Sequence, residues 1–152
     1  MEVNGFLKKL NSLKSVCIDS SILIYHLETI KPYEILTKTL IEKVARGEIF
    51  CYISALTITE LLAKPYRAKD YSRISMFEDF ISSLPNTKIV PVDYDIAKFA
   101  ASLRGEYNLR TPDSIILSTA AVTCSEAFIT NDIFLKTLDI KDFKIIILDE
   151  NL

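Results

Sequence analysis

The sequence predicts an α/β protein in which helices cover both faces of a mainly parallel sheet. Two observations predict it. Short apolar runs that fit strands alternate with longer stretches of helical pattern from residue 16 to residue 148. Acidic residues then recur where the patterns change over, at Asp19, Glu60, Asp113 and Asp132, each beside a short apolar run. Delivered to one edge of a parallel sheet, such carboxylates would form a site for hard divalent cations. The 152 residues are 49% hydrophobic, which suits a single domain over 1–152 with a substantial core and excludes a mainly disordered chain.

The elements follow in order. Residues 1–14 precede the first strand and are expected to form a helical extension. Strand 16–19 closes on Asp19, and Ser20 and Ser21 lead into a second apolar run, Ile22 to Tyr25, that fits a helix. Asp19 or Ser20 suits a helix cap, and Asp19 equally suits a ligand beyond a strand's carboxyl end. Helix 32–46 carries the stripe Ile35, Leu36, Leu40 and Ile41. Strand 49–53 leads through Ser54, a cap, into helix 54–63. Glu60 lies nearly two turns into that helix among Leu56, Ile58, Leu61 and Leu62, so partial screening from water is expected. Helix 71–83 carries Ile74, Phe77 and Phe80. Pro85-Asn86 marks a turn before strand 88–92, and Asp93 caps helix 94–107.

Helix 112–123 opens on Thr111 as cap, with Pro112 at the first helical position and Asp113 in the first turn. The helix dipole favours a carboxylate there whether or not it binds anything. Ile115, Ile116, Leu117, Ala120, Ala121 and Val122 leave little polar face, so the helix should be buried and Asp113 at its mouth should need a partner. Strand 127–130 ends in Thr130-Asn131-Asp132, and the intervening helix gives the length that a parallel crossover requires. Strand 144–148 completes the sheet.

Other chemistries are excluded or weakened. His26, the single histidine, has no cysteine or histidine partner nearby and reads as structural or solvated. Cys17, Cys51 and Cys124 are unclustered and read as reduced core residues. The serines lack a nucleophile elbow, no glycine-rich phosphate loop occurs, and Asp19-Ser20-Ser21 lacks the second acid of a phosphotransferase Asp-x-Asp motif. No apolar stretch has membrane-spanning length and the N-terminus lacks a signal pattern, so a cytoplasmic location is expected. A net charge of −2 gives no global attraction to nucleic acid. Local contacts would fall to Lys64, Arg67, Lys69 and Arg73 after Glu60, and to Arg104 and Arg110 around Asp113, with Tyr66 and Tyr71 as stacking candidates. Each of these also suits an ordinary solvated or amphipathic surface.

Segments 16–27, 53–62, 111–121 and 128–132 together resemble the acidic motifs of PIN-domain nucleases, particularly small prokaryotic toxins of the VapC type. The resemblance runs from about residue 15 to residue 148, and the Thr-Pro-Asp-Ser segment with its apolar helix and the Thr-Asn-Asp strand end are its most specific parts. It implies a three-layer α/β/α fold with a central mainly parallel sheet. It also implies a catalytic, metal-binding cluster of Asp19, Glu60, Asp113 and Asp132, supported by Ser20, Ser21 and Asn131. Oxygen-only ligands suit Mg²⁺ or Mn²⁺. The implied activity is RNA phosphodiester hydrolysis by the toxin of a toxin–antitoxin pair, with RNA as substrate, an antitoxin protein as partner and a homodimer as assembly. Some of the stripe surface of helices 32–46 and 71–83, left uncovered by the layers, is expected to supply the dimer contact. An RNA-processing nuclease outside such a pair, and a non-catalytic module binding RNA or protein, are the alternatives. All four acids are present; the departure from the family pattern is the extension 1–14.

Overall fold

A computed structural model, which describes residues 2–152, pairs the five expected strands in one sheet; Met1 of the extension lies outside the described residues. The strands are β1 (Ser15–Ile18), β2 (Phe50–Ser54), β3 (Thr87–Val90), β4 (Ala127–Thr130) and β5 (Lys144–Ile147). Their order is β3-β2-β1-β4-β5, and every neighbouring pair is parallel. The helices are α1 (Glu2–Asn11), α2 (Ser20–Leu27), α3 (Glu34–Ala45), α4 (Ala55–Arg67), α5 (Tyr71–Ser83), α6 (Tyr94–Tyr107) and α7 (Thr111–Val122). Short 3-10 helices cover Ile133–Thr137 and Leu148–Asn151.

The two-residue period of the central strands makes the three layers. Val16, Ile18, Ala127 and Ile129 enter one core with residues of α1 to α5, whereas Cys17 and Phe128 enter the other with residues of α6 and α7. Both faces being covered explains why these strands are continuous apolar runs. The chain steps outward from β1 to β2 to β3, then crosses back to lay β4 beside β1. That reversal makes the carboxyl ends of β1 and β4 the topological switch point, where open α/β sheets bind ligands.

The N-terminal extension is part of the core. Phe6 and Leu10 of α1 and the following Leu13 are buried, α1 packs on α3, and Lys9 Nζ donates to Asn151 Oδ1 at 2.8 Å. No helix among the described residues is long and apolar enough to cross a membrane.

Four sequence expectations need correction. Helix α4 does not stop at residue 63 but continues past the buried Pro65 to Arg67, the Ala68 N–H bonding Lys64 O at 3.0 Å beyond the proline. Helix α7 begins at Thr111, so Arg110 is its cap residue; the Ser114 N–H bonds Arg110 O at 3.0 Å. The apolar stripes assigned to a dimer surface are spent inside the chain: Leu36, Leu40, Ile41, Ile74 and Phe77 are buried and Phe80 packs against them, which leaves Ile35, 48% exposed. Cys17 and Cys51 are buried as expected, but Cys124 is exposed, at φ 55° in the turn after α7.

Candidate active site

Asp19 is the first residue beyond β1 and still extends the ladder, its N–H bonding Ile129 O of β4 at 3.0 Å. Its Oδ1 accepts the Ser20 N–H at 2.7 Å, which caps α2, so the capping and sheet-edge readings both hold. Ser20 Oγ stands 3.3 Å from Asp19 Oδ1 and 3.3 Å from Glu60 Oε1. A single hydroxyl proton lies between two carboxylates and serves one at a time. Glu60 comes to this position from the exposed face of α4, whose start is fixed by Ser54 Oγ accepting the Leu56 N–H at 3.2 Å.

Thr130, the last residue of β4, makes the central link. Its hydroxyl donates to Asp19 Oδ2 at 2.7 Å and accepts the Asp132 N–H at 3.1 Å, locking the ends of β1 and β4 together. Asp132 Oδ1 accepts the Phe134 N–H at 3.1 Å and so caps the 3-10 helix that follows. Asp113, 26% exposed at the mouth of α7, has the partner that burial demanded: Arg110 Nε donates to Oδ2 at 2.9 Å and Nη2 to Oδ1 at 3.4 Å. Asn131 acts at one remove. Its Oδ1 accepts the Asp149 N–H at 2.8 Å and its Nδ2 donates to Tyr25 Oη at 3.3 Å. The Tyr25 ring stacks on Tyr33 at 4.4 Å, and Tyr33 Oη donates to Asp149 Oδ1 at 2.7 Å, closing a ring of contacts. Ser21, in contrast, has a buried Oγ without a hydrogen-bond partner, as has Thr57 one turn before Glu60.

The charge of Asp113 reaches Asp19 and Glu60, whereas that of Asp132 acts on Arg110. Burial, and then the charge of Asp113, raise the Asp19 pKa against the lowering effect of hydrogen bonds from Thr130 and Ser20. Burial and the charges of Asp19 and Asp113 raise that of Glu60, opposed by the Ser20 hydroxyl and the charge of Arg110. The Arg110 guanidinium is held protonated by its hydrogen bond to Asp113 and that residue's charge, and further by Glu60 and Asp132. Asp19, Glu60 and Asp113 therefore feel one another, and Arg110 feels Asp113, Glu60 and Asp132.

The donor chemistry fits Mg²⁺ or Mn²⁺, because the cluster offers carboxylate and hydroxyl oxygens with no sulfur or imidazole. Asp113 is turned to Arg110 and Asp132 to its 3-10 helix, and among the described residues no three acidic, histidine or cysteine side chains stand in a ready coordinating arrangement. Closing the site on an ion therefore requires these carboxylates to exchange partners.

The basic residues divide. Lys64 and Arg67 follow Glu60 by four and seven positions (64 − 60, 67 − 60), on the same exposed face of α4. Arg104 Nε is committed to Leu109 O at 2.9 Å, and Arg73 to Glu28 at 3.3 Å and Asp70 at 3.6 Å. Tyr66 and Tyr71 are exposed. His26 is a packing residue, its ring 5.3 Å from that of Phe80 and its Nδ1 3.5 Å from Thr37 Oγ1.

Sequence reasoning missed Thr130 and Tyr25; for Thr130 the available signal was a hydroxyl between an apolar strand and Asn131-Asp132. Thr130→Val is expected to destabilise the protein by about 1–3 kcal/mol at neutral pH, since it removes a donor to a partly buried carboxylate. Asp19 is raised in the folded state, so the folded protein holds that proton more tightly than the unfolded chain and stability falls as pH rises through the folded pKa. Losing Thr130 raises it further, so the cost of the substitution should fade on acidification, from a pH above the ordinary aspartate value. Urea unfolding across pH checks this, with Thr130→Ser as the rescuing variant; a pH-independent cost would show that the hydroxyl does not act on Asp19.

The comparisons with known proteins can now be set beside this geometry. The PIN domain profile matches residues 16–141. None of the curated proteins matches the chain significantly by sequence. Among solved structures, the fold is similar to VapBC2 from Rickettsia felis bound to a promoter DNA fragment, with TM-score 0.70, 17% identity, and coverage of 87% of this chain and 97% of that one. It is similar to a toxin–antitoxin complex from Klebsiella pneumoniae, with TM-score 0.65, 25% identity, and coverage of 88% and 97%. DNA-bound VapBC from Salmonella typhimurium gives TM-score 0.69 at 16% identity, with coverage of 90% and 99%. A profile match spanning most of the chain, over an all-parallel five-stranded sheet covered by helices on both faces, establishes that the chain belongs to the PIN domain family of nucleases.

Proposed function

We propose that this protein is a metal-dependent ribonuclease that hydrolyses RNA phosphodiester bonds, and that it is the toxin of a toxin–antitoxin pair. The observation that carries the reading is the set of hydrogen bonds that ties Asp19 to Glu60 through Ser20 and to Asp132 through Thr130, with Asp113 paired to Arg110 at the mouth of α7. Asp19, Asp113 and Asp132 are the groups to hold Mg²⁺ or Mn²⁺, with Glu60 binding it directly, or through water, or positioning the attacking water. The bound cation supplies activation of water and neutralisation of charge on the phosphate. The chain's own part is orientation: Thr130 fixes Asp19, the Ser20 hydroxyl spaces Asp19 from Glu60, and Asn131 anchors the loop that carries Asp132. Lys64, Arg67 and Arg110, and Arg104 through guanidinium nitrogens other than the Nε bonded to Leu109 O, are assigned to the RNA backbone, where contacts position a strand without reading its bases.

The likeness to VapBC and other toxin–antitoxin complexes supports an antitoxin partner over a free-standing processing nuclease. A cytoplasmic location and a homodimer belong to the same proposal, the dimer through surface other than the buried stripes of α3 and α5. The test is cleavage of single-stranded RNA by metal-free protein with each ion restored separately. Mg²⁺ and Mn²⁺ should restore turnover; Ca²⁺, with its looser coordination, should bind without doing so and inhibit when in excess. Undiminished turnover in chelator would refute the metal mechanism. Suppression of cleavage by the product of a small adjoining reading frame would separate the toxin from a processing enzyme.

A further inference from the structure

We propose that Arg110 is a positioning residue that shares the Asp113 carboxylate with the divalent cation: it holds Asp113 until the ion enters, then yields it and turns to the substrate phosphate. The inference rests on the metal-dependent reading above. The fork of Arg110 covers both oxygens of Asp113, at 2.9 and 3.4 Å, so that carboxylate cannot give its full bite to an ion while the pair is closed. The side chains differ in exposure, 79% for Arg110 and 26% for Asp113, so the guanidinium is the more solvated and more mobile partner of the pair.

Two features make the exchange cheap. An ion pair with so exposed a partner is weak, and a divalent ion bound by several carboxylates outcompetes a monovalent one. The backbone role of Arg110 is separate from its side chain: the Arg110 carbonyl accepts the Ser114 N–H at 3.0 Å at the start of α7, and no side-chain cap is made. The guanidinium can therefore leave without unwinding the helix. Its planar fork matches phosphate oxygens, so a guanidinium released from Asp113 is suited to take a phosphate.

This predicts opposite effects from one substitution. Without RNA, Arg110→Gln in the full chain should bind Mn²⁺ about three- to tenfold more tightly than wild type by calorimetric titration, because a competing charge is gone. At saturating Mn²⁺ the same variant should show a higher KM for single-stranded RNA. Arg110→Lys, which keeps the charge and loses the fork, should fall between the two in Mn²⁺ affinity. A residue that merely shaped the start of α7 would weaken both. Mn²⁺ affinity that is equal or lower in folded Arg110→Gln, or an unchanged KM, would overturn the proposal while leaving the metal reading intact if wild type binds the ion. Absence of Mn²⁺ binding in wild type and variant alike would overturn both.

Discussion

Asp113→Asn is expected to slow RNA cleavage by about 100-fold or more while leaving the fold intact. The substitution preserves size and leaves an oxygen for Arg110, but removes the charge that an ion needs at the mouth of α7. Asp113 helps to raise the pKa of both Asp19 and Glu60, so removing its charge relieves like-charge repulsion around them. The thermal midpoint should accordingly hold or rise. Single-turnover cleavage together with thermal unfolding checks both halves; a well-folded variant with the wild-type rate would remove Asp113 from the machinery.

Phe6→Ala is expected to have the largest effect on stability, about 3–5 kcal/mol. Phe6 is fully buried in the core that α1 shares with α3 and β1, and truncation leaves a cavity that a packed interior refills only in part. The extension is further tied down by Lys9 on Asn151. Urea unfolding measures the cost. A loss below about 1 kcal/mol would mean that α1 is an appendage, with its apolar face replaceable.

These effects bear on what the sequence made legible. The strands were readable because burial on both faces turns them into unbroken apolar runs, and Asp19 and Asp132 were readable because a carboxylate ends such a run abruptly. The order of the strands was not: Thr130 matters only because β4 lies beside β1, a contact across 111 positions, and a threonine ending a buried strand looks like any other β-branched residue. The pairing of Arg110 with Asp113 was equally hidden: the two are three residues apart, and spacing alone does not say that a side chain folds back at a helix start.

The stripes of α3 and α5 failed as a dimer surface for a related reason. Periodicity shows that a face is buried and says nothing of what buries it; for α3 the cover is α2 together with α1, which the sequence marked only as an extension. The run of α4 past Pro65 belongs here too. Proline removes one backbone bond, and the helix survives it because Pro65 is buried two residues from the helix end and the bonding resumes at the Ala68 N–H.

Asp19, Asp113 and Asp132 are proposed to hold the divalent cation, and the position of Mn²⁺ located by anomalous diffraction tests that most directly. The expected result is a peak at the ends of β1 and β4, with oxygens of Asp19 and Asp113 at about 2.0–2.2 Å and Arg110 displaced from Asp113. A protein that leaves the cluster free of Mn²⁺ at millimolar concentration, with the Asp113–Arg110 pair still closed, would contradict it.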